Sequence, residues 1–242
     1  MLIAGNWKMN LNSSDLFEFQ KLIVNEKIEK KVEIAIFPQF PQLQLAKQIL
    51  SKYNVKIGAQ SCSSQLSGAF TGDVSADAIS DIGCDYCIVG HSERREFHNE
   101  TNEFVKNSAS LLLSQNITPI ICVGESLNIK LQNRTQKFIH NQIKECIPDI
   151  VSSSLIIAYE PLWAIGTGRI PKNEEIMSVH NVIFNELSHV KNLKIIYGGS
   201  VNLSNCSNVL KLKNVHGALI GGSSLKFKDF LAIYKTAVKQ VI

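Results

Sequence analysis

The stretch Ile156-Ile157-Ala158-Tyr159-Glu160-Pro161-Leu162-Trp163-Ala164-Ile165-Gly166-Thr167-Gly168 runs a short apolar segment into a single carboxylate. An apolar run of this length, stopped by a turn former, reads as a buried strand with Glu160 at its C-terminal end. Pro161 has no N–H for a sheet ladder and fixes its own φ, so the strand ends there. Beyond the proline come a rigid apolar body and then two glycines, the composition of a loop with a bendable end. A carboxylate at a strand terminus, next to a loop that can close over it, is how a general base is kept dry. Taken by itself, a glutamate in such a place is a solvated charge. The remainder of the chain argues otherwise.

Moving outward, similar apolar runs recur about every 30 residues, as alternating strands and helices require. They are Leu2–Ala4, Val32–Phe37, Val55–Ala59, Tyr86–Val89, Ile117–Val123, Leu155–Tyr159, Leu193–Tyr197 and Ala218–Ile220. Rich in Ile, Val and Ala and without clean alternation, they read as strands covered on both faces. Between them lie segments of helical period. Asp15–Val24 places Leu16, Phe19 and Ile23 on one side, and Asn102–Leu113 does the same with Phe104, Val105, Ala109 and Leu112. Ser13 or Ser14 would cap the first, with Glu18 following, and Thr101 the second. Strand–helix alternation implies right-handed parallel crossovers. An open doubly wound sheet would carry G-x-G-x-x-G after its first strand, and Gly5-Asn6-Trp7-Lys8 does not match. Evenly spaced units with no leftover segment favour an α/β fold of one closed (β/α)8 barrel, a single domain over residues 1–242. Barrels of this kind typically take about 250 residues.

Bulk composition narrows the function. Hydrophobic residues make up 45% of the chain and charged ones 19%, enough apolar matter for a large core and against disorder. A net charge of +4 without a clustered basic patch does not indicate nucleic acid, though it suits a small anionic substrate. Of six cysteines, Cys84 and Cys87 form a lone C-x-x-C with no second pair at zinc spacing, so buried free thiols in a reducing compartment are expected. Asn6 and Lys8 interrupt any signal-peptide core, and no apolar run approaches the ~20 residues of a membrane span. The expectation is a soluble cytoplasmic protein.

In a barrel the functional residues sit at the C-terminal strand ends. There the chain places Asn6 and Lys8 after the first strand and Gly90-His91-Ser92-Glu93 after the fourth. Glu160 follows the sixth, Tyr197-Gly198-Gly199-Ser200-Val201 the seventh and Gly221-Gly222-Ser223-Ser224 the eighth. Singly these are ordinary: a structural histidine, a solvated lysine, a Gly-Gly turn. On one mouth they supply an acid–base pair, a cation and two glycine-rich loops. The loops follow strands seven and eight, where barrels often bind phosphate. Glycines let backbone N–H groups approach an anion, and a helix starting at Ser223–Ser224 would add its positive end. A phosphorylated substrate is expected.

From end to end the chain resembles the triosephosphate isomerase family. The segments that carry the resemblance are Gly5-Asn6-Trp7-Lys8-Met9-Asn10, Gly68-Ala69-Phe70-Thr71-Gly72, Ile88-Val89-Gly90-His91-Ser92-Glu93-Arg94-Arg95, Ala158-Tyr159-Glu160-Pro161, Trp163-Ala164-Ile165-Gly166-Thr167-Gly168, Tyr197-Gly198-Gly199-Ser200-Val201 and Gly221-Gly222. They occur in family order at family spacing. The resemblance implies an aldose–ketose isomerase of glycolysis and gluconeogenesis, an intramolecular oxidoreductase. It would interconvert dihydroxyacetone phosphate and D-glyceraldehyde 3-phosphate through an enediol(ate). No nicotinamide, other cofactor or metal is implied.

By the same resemblance Glu160 is the proton-carrying base, its basicity raised by desolvation. His91 is a neutral electrophile, kept so by the amides of the helix that follows it. Lys8 offsets the developing charge, Asn6 orients the oxygens and Glu93 positions Lys8 or assists the proton shuttle. Substrate binding falls to Asn6, Lys8, Gly166, Ser200, Gly221 and Gly222. Of these, Gly166, Ser200 and Gly222 would present backbone N–H groups to the phosphate. Residues from Pro161 to about Pro171 would form a lid that excludes water. The loop Gln60–Asp73 would hold a homodimer together, with Thr71 reaching the neighbouring site. Four positions depart from the family pattern: the hinge Arg169-Ile170-Pro171, Ser61, Asp73 with its pairing to Arg94, and Lys194 in place of arginine. Two other readings stand against this one. A barrel isomerase of larger sugar phosphates would lack the Asn-x-Lys, His-Ser-Glu and Glu-Pro set together. A catalytically inert barrel would lack Lys8, His91 or Glu160.

Overall fold

A computed structural model of the chain describes residues 1–149, 154–165 and 169–241. Its eight strands are β1 (Leu2–Asn6), β2 (Glu33–Phe37), β3 (Val55–Ala59), β4 (Tyr86–Val89), β5 (Thr118–Val123), β6 (Ile156–Tyr159), β7 (Lys194–Tyr197) and β8 (Gly217–Ile220). Each pairs in parallel with the next, and β8 pairs with β1 to close the barrel. The helices between them are α1 (Ser13–Ile23), α2 (Leu43–Leu50), α3 (Ala76–Asp81), α4 (Ser92–His98), α5 (Asn102–Ser114), α6 (Leu127–Leu131), α7 (Thr135–Cys146), α8 (Asn173–Glu186), α9 (Cys206–Leu210) and α10 (Phe227–Val241). The closed (β/α)8 architecture is the one expected. No helix among the described residues is long and apolar enough to cross a membrane.

Closure explains why the strands carry no polar face. Leu2, Ala4, Ala35, Phe37, Tyr86, Ile88, Ile120, Cys122, Ile156, Ala158, Ile196 and Leu219 fill the interior as one buried cluster. The alternate residues, such as Ile3, Ile34, Ile36 and Ile157, pack outward with the helices in a second. Both sets are apolar, so the period of two is hidden in the sequence. One glycine is fixed by this packing: a Cβ on Gly58 would lie 2.1 Å from the Phe37 ring. At the N-terminal end of the barrel, Glu33 takes Lys194 at 2.5 Å and the Tyr86 hydroxyl at 3.0 Å, tying the starts of β2, β7 and β4. Lys194 thus meets a carboxylate through a single ammonium, as its substitution for arginine implied.

Two local expectations are corrected. The first helix is capped by Asn12, not by Ser13 or Ser14: its side chain accepts the Ser14 N–H at 2.8 Å, and the Asp15 carboxylate accepts the Asn12 N–H at 2.7 Å. Asn12 wins because it is the residue with extended backbone, which a cap needs. The second correction concerns residues after β8. A four-residue 3-10 turn, Gly222–Leu225, stands where a helix was expected at Ser223–Ser224, and α10 begins only at Phe227. Thr101 caps α5 as expected, accepting the Phe104 N–H at 3.1 Å.

Candidate active site

The register delivers the polar residues to one mouth. Val123 lies beside Tyr159, so Glu160 follows next to Gly124, and its N–H donates to the Val123 carbonyl at 2.8 Å. The approach is close enough that a Cβ on Gly124 would fall 1.7 Å from the Glu160 carbonyl oxygen. A cavity of about 590 Å³ opens above the strand ends, lined by Asn6, Lys8, His91, Glu93, Glu160, Ser200, Gly221 and Gly222 among others. Eight of the nine residues expected in the site therefore share one cavity. The ninth, Gly166, lies outside the described residues, as do Thr167 and Gly168.

Within the cavity the charged groups pair. Glu160 is 2% exposed and its Oε1 lies 3.1 Å from His91 Nε2. Its Oε2 accepts the Ser92 N–H at 3.0 Å. Burial raises the Glu160 pKa, but His91, the Ser92 amide and Lys8 together lower it more, leaving it below the ordinary carboxylate value. Desolvation acts on Glu160 in the direction expected, but in this geometry its partners outweigh it. The reason is the company the carboxylate keeps, which burial strengthens as well.

His91 caps α4, and its Nδ1 accepts the Glu93 N–H at 3.2 Å. A ring with one proton therefore carries it on Nε2, facing Glu160. Burial lowers the His91 pKa, but Glu160 opposite it and Glu93 beside it raise it further, so it titrates above the ordinary histidine value. The Glu93 amide sets the tautomer of the neutral ring, but the expectation that the helix amides keep His91 neutral is corrected: the two carboxylates raise its pKa instead. On the far side Lys8 Nζ meets Glu93 Oε1 at 2.5 Å, so Glu93 holds the lysine rather than the histidine, whose Nδ1 is 3.7 Å away.

Lys8 has a backbone φ of +53°, in the left-handed region that a side chain rarely enters. Such strain costs on the order of 1 kcal/mol and persists only where neighbours impose it. Here the neighbours are Asn6, whose Oδ1 accepts the Lys8 N–H at 3.0 Å, and Gln60. The Gln60 amide donates to the carbonyls of Lys8 and Phe37, both at 2.8 Å. Read from the sequence, Gln60 was only the start of a loop. Its position directly after β3, level with the other strand ends, was the available signal.

The glycine-rich loops divide by role. Gly199 lies so close to Tyr197 that a Cβ would be 2.1 Å from its hydroxyl, and one on Gly198 would be 2.8 Å from Glu160 Cγ. Those two glycines make room for protein side chains. A Cβ on Gly222 would meet nothing within 4 Å, and one on Gly221 would meet the Lys8 side chain at 3.3 Å, so these two border open space beside a cation. Ser200 is steadied by its hydroxyl, which donates to the Ala164 carbonyl at 3.0 Å, and by Asn205, which donates to the Ser200 carbonyl at 2.9 Å.

Elsewhere, the pairing of Asp73 with Arg94 is rearranged among the described residues, as expected from the shorter side chain. Arg94 pairs with the buried Glu100, and Asp73 accepts the Ser63 hydroxyl at 2.7 Å, because the shorter aspartate finds a partner within its own loop. All six cysteines are buried free thiols. Burial pushes Cys84 up to about 11 and Cys62 up to about 12, which suits packing and not reactivity.

Fold and site together define the class: a (β/α)8-barrel enzyme whose mouth sets a buried acid–base couple and a lysine beside backbone open to an anion. Comparison with known proteins narrows the class further. The family model described as "Triosephosphate isomerase" matches residues 1–237, and the chain belongs to that family. It is 40% identical to a triosephosphate isomerase of Thermus thermophilus over 250 residues, covering 98% of each chain. It is also 40% identical to one of Hyphomonas neptunium over 245 residues, again covering 98% of each. The crystal structure of triosephosphate isomerase from Bartonella henselae superposes with a TM-score of 0.86 at 31% identity, covering 97% of this chain and 98% of that one.

Proposed function

We propose that this protein interconverts dihydroxyacetone phosphate and D-glyceraldehyde 3-phosphate, as an aldose–ketose isomerase of glycolysis and gluconeogenesis. The observation that carries the reading is the buried Glu160–His91 pair at 3.1 Å, with the Lys8 ammonium lining the same cavity. Glu160 removes a proton from the carbon next to the carbonyl and returns it to the neighbouring carbon. His91 donates from Nε2 to the carbonyl oxygen as the enediolate forms, then moves the proton between the two oxygens. Lys8 offsets the negative charge that develops there. Glu93 positions Lys8, and Asn6 orients the substrate oxygens. Ser200, Gly221, Gly222 and Gly166 hold the phosphate through the backbone.

In this assignment Glu160 exchanges its bonds to His91 and Ser92 for the substrate carbon. Losing them removes what holds its pKa down, while burial, which raises it, remains. The base becomes strong where the acidic carbon sits. The segment from Pro161 to Pro171 is the lid, and it excludes water because an exposed enediolate phosphate eliminates phosphate. The protein acts in the cytoplasm as a homodimer joined through the loop Gln60–Asp73.

The test is turnover of glyceraldehyde 3-phosphate by the purified protein, with Glu160→Gln as control. Rapid isomerisation that falls by a factor on the order of 10³ in Glu160→Gln is expected of a general base. An inactive wild-type protein, or a fully active Glu160→Gln, would sink the assignment.

A further inference from the structure

A single ammonium group outside the cavity links Trp163, near the start of the segment 161–171, to the first turn of α8, which follows that segment. Lys130, on α6, places its Nζ 3.3 Å from the centroid of the Trp163 ring, in the N-terminal flank. The same Nζ pairs with Glu175 Oε1 at 2.8 Å, and Glu175 Oε2 accepts the Lys172 N–H, also at 2.8 Å, at the start of α8. Lys172 directly follows Pro171. The edge of the indole is held separately: Trp163 Nε1 donates to Glu125 Oε1 at 2.8 Å, and the buried Glu125 also accepts the Tyr159 hydroxyl at 3.2 Å. Tyr159 is the last residue of β6, directly before Glu160.

We infer that Lys130 is a positioning residue for the isomerase reaction, tying the N-terminal flank of the lid to the helix that follows it. The inference rests on the reading of residues 161–171 as a lid. A cation above an indole face is attracted by the ring quadrupole, and the attraction strengthens when the pair is sheltered from water. The Lys130 side chain is about three-quarters covered. Its charge therefore fixes the plane of Trp163 while its second bond fixes the first turn of α8. Held this way, Trp163 keeps one orientation relative to α8. Lys130, Trp163 and Glu175 do not border the acid–base couple, so their effect on chemistry passes through lid placement.

Lys130→Met keeps the length and apolar body of the side chain and removes the charge, while Lys130→Arg restores both the cation and the ion pair. Trp163 supplies the readout, because the only other tryptophan, Trp7, is wholly buried. Glycerol 3-phosphate, which carries the phosphate but no carbonyl, serves as a non-reacting probe. Wild type is expected to change its tryptophan emission on saturation with the probe. Lys130→Met is expected to lose most of that change, to lose about tenfold in kcat as a misplaced enclosure does, and to release more phosphate per isomerisation, with KM little altered. Lys130→Arg is expected to recover all three. If wild type and Lys130→Met respond alike, with the same kcat and phosphate release, Lys130 is a surface ion pair and the inference is overturned alone. If wild-type emission ignores a saturating probe, the lid reading itself falls and takes the inference with it. Loss in Lys130→Met that Lys130→Arg does not recover would likewise overturn the role of the charge.

Discussion

At the scale of single residues, the base is shaped by atoms that never touch substrate. A Cβ on Gly198 would stand 2.8 Å from Glu160 Cγ and 3.2 Å from the Tyr159 carbonyl oxygen. Gly198→Ala should therefore lower thermal stability, by the roughly 1–3 kcal/mol typical of overpacking, and move the carboxylate. Because a displacement of about 1 Å at a reacting group costs on the order of 100-fold, kcat should fall toward that factor while KM changes little. A wild-type kcat in Gly198→Ala would show that Glu160 has slack in its seat. The His91–Glu160 pair has a second consequence, in stability. The folded pKa of His91 is raised, so its contribution is full below the unfolded histidine value of about 6.5 and fades as pH rises through the folded one. The folded pKa of Glu160 is lowered, so its contribution is full above about 4.5 and fades as pH falls through the folded one. Both act together between about pH 4.5 and 6.5. The melting temperature lost in Glu160→Gln should be largest in that window and smaller at pH 8. A loss independent of pH would mean that the pair is not charged in the folded state. Lys8, His91 and Glu160 were legible in the sequence because each is an ionisable group at the end of an apolar run. The pairing that lowers the Glu160 pKa was not, because it depends on a 3.1 Å approach between β4 and β6, strands that are not neighbours in the barrel.

At the scale of elements, caps separate what local sequence decides from what geometry decides. Thr101 was readable as the cap of α5 because it stands immediately before the first apolar-periodic turn. Asn12 was not, because Asn12, Ser13 and Ser14 are all good caps, and only the extended backbone at Asn12 chooses among them. Asn12→Ala and Thr101→Ala should each cost about 1 kcal/mol in denaturant unfolding, whereas Ser13→Ala should cost only a few tenths. Equal losses at Asn12 and Ser13 would return the cap to the serine. The strands show the same division. Their positions were legible to within a residue or two because every run is apolar on both faces, and closure of the sheet follows from their even spacing. The ends were less so. β1 runs on through Gly5 to Asn6, since pairing with β2 continues to Phe37, and nothing in the dipeptide Gly5-Asn6 announces a strand. The 3-10 turn after β8 escaped for a related reason. Ser224 donates both its N–H and its hydroxyl back to the Gly221 carbonyl, at 2.8 and 2.7 Å, which closes a tight turn before an α-helix can start.

At the scale of the whole molecule, the distribution of exposed apolar side chains bears on assembly. Met9 is 87% exposed and Phe97 69%, and both border a second cleft of about 430 Å³ that shares Lys8, Glu93 and Gln60 with the site or its supports. The loop that leaves this cleft at Gln60 carries two more exposed apolar residues, Leu66 and Phe70. Large apolar side chains gathered beside a cleft mark a surface that another protein covers. In the homodimer proposed above, the loop of a second copy would occupy this cleft, and a two-fold arrangement would let each copy fill the cleft of the other. In that homodimer the second copy's loop would add to the support that Gln60 and Asn6 give Lys8, and activity would then depend on association. Phe70→Glu replaces an apolar anchor with a charge where the loop would enter the cleft beside Met9 and Phe97. It should sediment as a folded monomer at micromolar concentration and lose kcat by a factor on the order of 100, as a slackened site does, with its thermal transition now independent of concentration. Wild type should sediment as a dimer at the same concentration and unfold at a temperature that rises with concentration. A wild-type monomer with full turnover would remove the dimer and leave Met9, Phe97 and Phe70 to some other partner.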